Sequence, residues 1–173
     1  METVFFEKPA ELRKHKAELE RKLSISLTIV GRKVTYDGSA INEYVAGMIL
    51  EAMAFGFSFN EAIALKDEEM LFRKVPLRGF TRRKNLKDVR ARLIGKEGKT
   101  RRTVEDISGC TVLIGDNAVG LIGRAEAIDA ATQGVINIIR GSKQANAYRY
   151  LERMNAGRKN LDEGLGLKEE KKE

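Results

Sequence analysis

Two glycines three positions apart, Gly95 and Gly98, enclose a loop that could hold a phosphate backbone. The loop sequence is Gly-Lys-Glu-Gly, and a basic segment, Lys99-Thr100-Arg101-Arg102, follows it directly. A phosphate can lie against the main chain only where no Cβ blocks it, and glycine meets that requirement. The first N–H groups of a helix that begins here would lack partners and carry partial positive charge. The spacing therefore indicates a phosphate-binding loop.

Positive charge is concentrated around this loop. Between Phe72 and Arg102 there are thirteen Lys or Arg residues and two acidic residues, a net charge of +11. The whole chain carries +7, so the remainder sums to −4. A lone GxxG is often a plain turn, and a run of charge is often a solvated face. The two together favour a nucleic acid as the ligand.

The apolar pattern predicts the elements that carry the loop. Residues 86–94 and 99–108 are expected to be short helices, and residues 110–114 a strand. Helix–GxxG–helix–strand is the RNA-gripping half of a KH domain, whose loop holds about four nucleotides. Bases would lie between the helices and the strand, on a floor with four candidates: Ala91, Ile94, Thr111 and Leu113. A further four apolar residues are assigned to the core: Leu93, Val104, Ile107 and Val112.

Bulk properties exclude several other classes of protein. The chain has 173 residues, of which 42% are apolar and 33% charged, and no apolar run is long enough to span a membrane. The short acidic N-terminus does not resemble a signal peptide. One cysteine and one histidine argue against a zinc site or a Cys-His pair, and the Walker spacing is absent. We therefore expect a cytoplasmic protein that has no metal, no cofactor and no catalytic activity, with Cys110 as a buried structural thiol.

An internal repeat organises the chain. A shift of 85 residues aligns the segment from about Ala10 to Leu65 with a later segment, without a gap. Turn glycines coincide (Gly38 with Gly123, Gly56 with Gly141), and so do the apolar positions. We interpret the chain as two copies of one fold.

Each copy is predicted to have the order βααββα. The fold class is α+β, with two tandem type I KH-like domains, each a three-stranded sheet covered on one face by helices. The predicted boundaries are residues 1–66 for the first domain and 67–155 for the second, with a flexible tail at 156–173. The last helix of the first copy, from a cap at Ser39 to Phe55, is expected to bury a stripe of five residues: Ile41, Tyr44, Val45, Met48 and Ala52.

The first copy lacks the glycine loop. Gly95–Gly98 projects onto Ala10–Arg13, so two short helices are expected to merge into one. The first 71 residues sum to −3. We expect this degenerate domain to pack, space or bind protein, and the alternative that it touches RNA through another face stays open.

The segment Ala91–Arg102 with Ile107-Ser108-Gly109 resembles the second KH domain of archaeal small-subunit assembly proteins. These proteins are relatives of the eukaryotic factor called Partner of Nob One. Gly56-Phe57-Ser58 and Tyr148–Arg153 resemble the same family, over about residues 1–155 in all. The resemblance implies binding to the 3′ region of small-subunit ribosomal RNA, near the site cut by the Nob One endonuclease, without catalysis. Archaeal relatives can keep a GxxG in the first domain, and this chain does not.

The candidate RNA-binding residues combine the loop, its cations and the groove. They are Gly95, Lys96, Glu97, Gly98, Lys99, Arg101, Arg102, Arg90, Arg92, Ile94, Thr111, Leu113, Arg82, Arg83 and Lys84. Glu97 is unfavourable near phosphate unless its carboxylate points away or contacts a base. A competing interpretation is an adaptor whose main partner is a protein, such as a nuclease or a translation factor. Salt-dependent affinity for single-stranded RNA would distinguish the two.

Overall fold

The structure, a computed structural model, describes residues 1–166. The strands are β1 (Glu2–Phe5), β2 (Ile25–Val30), β3 (Lys33–Gly38), β4 (Met70–Pro76), β5 (Thr111–Ile114) and β6 (Ala118–Arg124). The helices are α1 (Ala10–Leu23), α2 (Ala40–Phe55), α3 (Phe59–Ala62), α4 (Leu86–Ile94), α5 (Lys99–Ser108), α6 (Ala125–Arg140) and α7 (Gln144–Gly164). Two short 3₁₀ helices are also present, at Ile63–Lys66 and Lys96–Gly98.

The strands form two antiparallel sheets with the same topology, β1-β3-β2 and β4-β6-β5. In the first sheet the central Val34 pairs with Val4 and Ile29. In the second, Val119 lies 85 residues later and pairs with Val75 and Ile114. The two α+β, KH-like domains are therefore confirmed. In the first, α1 is one continuous helix where the second has α4, the glycine loop and α5.

Local capping explains where several helices begin and end. The Ser39 hydroxyl accepts a hydrogen bond from the Asn42 N–H (3.3 Å) at the start of α2. The Asn85 side chain accepts one from the Lys87 N–H (3.0 Å) at the start of α4. Gly56 ends α2 with φ +132°, a conformation that a residue with a Cβ rarely adopts.

The first domain packs on the second domain's sheet. Helices cover one face of β4-β6-β5, and the aromatic rings of Phe55 and Phe57 cover the other. Both rings lie about 6 Å from the ring of Phe72 on β4. Gly120 on β6 makes this approach possible, because a Cβ there would lie 2.6 Å from Phe55. Ile122 of the same sheet joins the first domain's core. The second sheet is thus buried on both faces.

The predicted stripe of α2 is wrong at Ile41 and Tyr44, while Ala52 is buried and Val45 and Met48 pack against the core. The buried residues of this helix are Ala46, Ile49, Leu50, Ala52 and Met53. Ile41 and Tyr44 are 77% and 69% exposed. Because α2 is apolar on nearly all sides, its sequence period does not specify which side faces the core.

The predicted tail is also wrong over residues 156–164, because α7 continues to Gly164. Ala147 and Leu151 anchor its first turns in the second domain's core. Arg158 donates to the Asn155 side chain (2.8 Å) one turn earlier and supports the later part of the helix. The rest of the predicted tail, residues 167–173, lies outside the described residues. Among residues 1–166, no helix combines the length and the apolar character needed to cross a bilayer.

Candidate nucleic-acid interface

The glycine loop has an unusual backbone. Gly95, Glu97 and Gly98 have positive φ values of +73°, +54° and +75°. The Gly98 N–H donates to the Gly95 carbonyl (3.2 Å) and closes a 3₁₀ turn. Positive φ at a non-glycine residue such as Glu97 is strained, and such strain is often found at functional sites.

The two glycines have different roles. A Cβ on Gly95 would lie 2.2 Å from Oγ1 of Thr100 and 2.7 Å from its backbone nitrogen, so the loop cannot close around a larger residue. A Cβ on Gly98 would meet nothing within 4 Å. Gly95 therefore holds the loop together, and Gly98 leaves an open face of backbone that a ligand can approach.

The N-terminus of α5 is open as well. Side chains cap α2 and α4, but no side-chain hydrogen bond caps α5. Its first N–H groups are next to the open face of Gly98. Unpaired N–H groups and the positive end of the helix dipole favour an anion there.

The cations around the loop divide into free and engaged groups. Lys96 and Lys99 are exposed, and neither takes part in the ion pairs found in residues 1–166. Arg101 lies 3.6 Å from the Glu105 carboxylate. Arg102 donates to the carbonyl of Glu97 (2.8 Å), which braces the strained residue. The two lysines are thus the free charges at the loop, and Arg102 supports its shape.

Arg90 and Arg92 bind the protein's own backbone. Arg90 Nη1 donates to the carbonyl of Asp116 (2.8 Å) and ties α4 to the β5–β6 turn. Arg92 donates to the carbonyls of Ile138 (3.2 Å) and Ser142 (2.6 Å) at the end of α6. The prediction that Arg92 binds RNA is therefore not supported, because its guanidinium caps a helix. Sequence spacing could not reveal these partners, which lie 46 and 50 residues away.

We expect Arg92→Ala to lower the free energy of unfolding by about 1.5–3 kcal/mol, because two charge-assisted hydrogen bonds to the α6 terminus are lost. The salt dependence of RNA binding should not change. Urea unfolding and an RNA titration at several salt concentrations measure the two effects. A flatter salt dependence with unchanged stability would show that Arg92 contacts phosphate instead.

The predicted groove floor needs one clear correction. Ile94 is 40% exposed beside the loop, as a base-contacting residue should be. Leu113 instead packs against the first domain, where a Cβ on Gly56 would lie 3.2 Å from its Cδ2. Thr111 lies on the same strand face by alternation and pairs with Ile122. The other assigned residues, Leu93, Val104, Ile107 and Val112, do belong to the second domain's core cluster or pack against it.

The structure places two further residues beside the glycine loop and α4 that the sequence analysis did not assign to the site. Thr100 is only 5% exposed and fills the space that the missing Cβ of Gly95 leaves. Asp116, in the β5–β6 turn, is brought beside α4 by its contact with Arg90. The sequence carries no signal for the burial of Thr100, because its neighbours on both sides are charged.

The upstream cations Arg82, Arg83 and Lys84 lie exposed on the connection between β4 and α4. The backbone N–H of Arg83 donates to the Thr81 hydroxyl (3.2 Å), which shapes this connection locally. Their role in RNA binding stays a prediction. Cys110 is buried (2% exposed), and burial raises the pKa of its thiol, in keeping with a structural role.

Comparison with known proteins places this site in a family. Residues 74–156 match the family model for the second KH domain of PNO1, described as a eukaryotic-type KH domain of type I. The second domain thus resembles the second KH domain of PNO1. The chain is 29% identical over 147 residues to a KH domain-containing protein of Methanocaldococcus jannaschii, covering 80% of this chain and 64% of that protein. It is 26% identical to the pre-rRNA-processing protein pno1 of Emericella nidulans, covering 78% of this chain and 56% of that one. The matches thus span somewhat over half the length of these relatives.

Solved structures extend the PNO1-related likeness to both domains. A protein of unknown function from Aeropyrum pernix superimposes with a TM-score of 0.85 at 26% identity, covering 94% of each chain. Dim2p from Pyrococcus horikoshii superimposes with a TM-score of 0.80 at 28% identity, and the match covers 88% of this chain and 98% of that one. A chain of the P. horikoshii a/eIF2alpha–Dim2p–rRNA complex superimposes with a TM-score of 0.79 at 27% identity. The match covers 90% of this chain and 94% of that one.

Proposed function

We propose that this protein binds single-stranded RNA through its second domain, without catalysis, at the 3′ region of small-subunit ribosomal RNA during ribosome assembly. The observation that carries the proposal is the glycine loop. Gly98 presents open backbone next to the uncapped N-terminus of α5, and Lys96 and Lys99 stand beside it. An extended phosphodiester chain fits these features, because phosphates can approach the backbone while bases turn toward Ile94.

The relatives support the choice of RNA. The Emericella protein is named as a pre-rRNA-processing protein, and the P. horikoshii Dim2p structure is of a complex with rRNA. These names specify rRNA or its precursor, and we propose in addition that the RNA is small-subunit rRNA and that the protein binds its 3′ region. A cytoplasmic location is proposed with it.

A protein adaptor is the second candidate function. The P. horikoshii complex also contains a/eIF2alpha, a translation factor. The first domain of this chain has a continuous α1 in place of a glycine loop, and residues 1–71 carry a net −3. In this alternative a translation factor or an assembly endonuclease is the main partner and RNA affinity is weak.

RNA affinity should fall steeply with salt if the proposal is right. For single strands the slope of log K against log salt is about −0.7 per phosphate neutralised, so roughly four to five contacts predict about −3. Lys96→Ala with Lys99→Ala should flatten the slope by about 1.4, because two free cations at the loop are lost. Fluorescence anisotropy with a labelled strand from the 3′ end of small-subunit rRNA, and with its scrambled version, measures both quantities.

Lys14→Ala is the matched control, because Lys14 occupies the position of Lys99 in the first copy of the repeat and is exposed. It should leave affinity and slope unchanged. A slope near zero, or equal affinity for the two strands, would favour the adaptor.

A further inference from the structure

Exposed apolar side chains of the first domain gather on one side of α2. Ile41 and Tyr44 are 77% and 69% exposed, and Met48 follows one turn later, half-buried. Tyr44 and Met48 line a depression of about 420 Å³ that Glu2 of β1 also lines, and Ile41 precedes Tyr44 by one turn of α2. A solvated helix face normally carries polar residues at such positions.

A second depression continues this surface. It has a volume of about 700 Å³ and lies between β1, the end of α2 and the second domain, with Phe5, Phe55 and Phe72 among its lining residues. Glu51 lines both depressions. Together they follow α2 along its 16 residues, a length of about 24 Å. We call this continuous surface the α2–β1 groove.

The charge of the α2–β1 groove is negative. Five carboxylates line it: Glu2, Glu7, Glu43, Glu51 and Asp116. The facing cations are Lys74, which lies over the Phe55 ring, and the terminal amine of Met1, which pairs with Glu43 at 3.0 Å. The pKa of Tyr36, whose side chain lines the groove, is raised by burial and then by Glu2, Glu51 and Glu43. This field repels RNA and attracts cations.

The internal repeat shows that the fold does not require these residues. At the positions of Ile41, Tyr44 and Met48, the second copy has Glu126, Asp129 and Gln133. There, Arg73 of β4 pairs with Asp129 of α6 and links strand to helix. The sheet registers place Glu2 at the position of Arg73, because Tyr36 and Leu121 are equivalent central-strand partners. The first copy thus has an acid and an exposed tyrosine where the second has an ion pair.

We propose that the α2–β1 groove binds a segment of a partner protein that carries Lys or Arg side chains beside aliphatic or aromatic ones. The exposed apolar residues of α2 supply contact area, and the surrounding carboxylates complement the cations. This activity lies outside the glycine loop and goes beyond RNA binding. The occupant's charge follows from the groove's own, since an acidic segment would be repelled.

The test replaces the exposed apolar residues of α2 with glutamine, the residue that the second copy has at the position of Met48. A library of displayed random peptides about 16 residues long, the length of α2, is selected against the full-length chain. The enriched peptides are synthesised and titrated by calorimetry against wild type and Ile41→Gln/Tyr44→Gln/Met48→Gln, which removes apolar contact area and leaves the charge of the groove unchanged. We expect basic, apolar peptides whose affinity is weaker by about tenfold or more for the variant. RNA affinity should stay unchanged, because the substituted residues belong to the first domain and the loop to the second. The melting temperature should change little, since Ile41 and Tyr44 are exposed and only the half-buried Met48 packs against the core.

Val30→Gln is the matched control, because Val30 is 69% exposed on β2, at the opposite edge of the same sheet. It should bind the selected peptides as the wild type does. Enrichment of acidic or uncharged peptides, or equal affinity for the triple variant, would overturn the proposal. So would sedimentation showing that the wild type dimerises and the triple variant does not, because the occupant would then be a second copy. RNA titration of the same proteins tests the glycine loop separately.

Discussion

Gly98→Asp is expected to weaken the binding of single-stranded RNA by about 30-fold or more, the effect of losing a contact worth about 2 kcal/mol. The substitution puts a side chain where the open backbone of Gly98 would meet phosphate, and it adds a negative charge beside that phosphate. A Cβ at this position touches nothing within 4 Å, so the fold should survive. The left-handed backbone costs about 1 kcal/mol, and aspartate tolerates it better than most residues. Fluorescence anisotropy and urea unfolding measure the two effects.

Gly109→Asp is a close control for this experiment. Gly109 lies at the other end of α5, has φ +69°, and also has nothing within 4 Å of its virtual Cβ. The same charge and a similar backbone strain are therefore introduced away from the proposed phosphate site. If both variants bind RNA equally well, or lose affinity equally, the loop does not hold the backbone in the proposed way. Gly95→Ala serves a different purpose, since its clash with Thr100 should deform the loop itself.

The elements around the loop could be predicted from sequence because their signals are local. Gly95 and Gly98 separate two short helices, as the sequence predicts. The repeat predicts that both copies share one order of elements, βααββα, and the structure has two sheets of the same topology. The merged helix of the first domain follows from the residues that replace the glycines there. The helix and strand predictions depend on neighbouring residues, and the repeat extends them to the second copy.

The structure differs from the sequence-based predictions at residues whose surroundings come from distant parts of the chain. Leu113 was assigned to the groove, although strand alternation from the buried Val112 puts it on the opposite face. Phe57 and its neighbours in the first domain cover that face, and they lie more than 50 residues earlier in the chain. The RNA contact of Arg92 is predicted from its charge near the loop, and in the structure its guanidinium donates to carbonyls at the end of α6. Composition identifies the charge and says nothing about where the guanidinium points.

The packing of the first domain on the second sheet leads to the largest stability effect that we expect. Phe57 is 2% exposed, and its ring lies about 6 Å from those of Phe55 and Phe72. It fills the space above Gly120, where a Cβ would lie 2.8 Å from the Phe57 ring. Phe57→Ala should lower the free energy of unfolding by about 3–5 kcal/mol, because it leaves a cavity between the domains that rigid strands cannot close. Urea unfolding followed by circular dichroism measures the loss.

Phe5→Ala is the matched control, because Phe5 is the same residue type at 71% exposure. Its substitution should change the free energy of unfolding by about 0.5 kcal/mol or less. A Phe57→Ala loss as small as this would mean that the two domains fold independently and that the second sheet's outer face needs no cover. A large loss would mean instead that the first domain, which has no glycine loop, stabilises the sheet on which the second domain's helices pack. The RNA affinity of the folded Phe57→Ala protein should then stay close to wild type, because Phe57 lies on the face of the sheet opposite the helices that carry the loop.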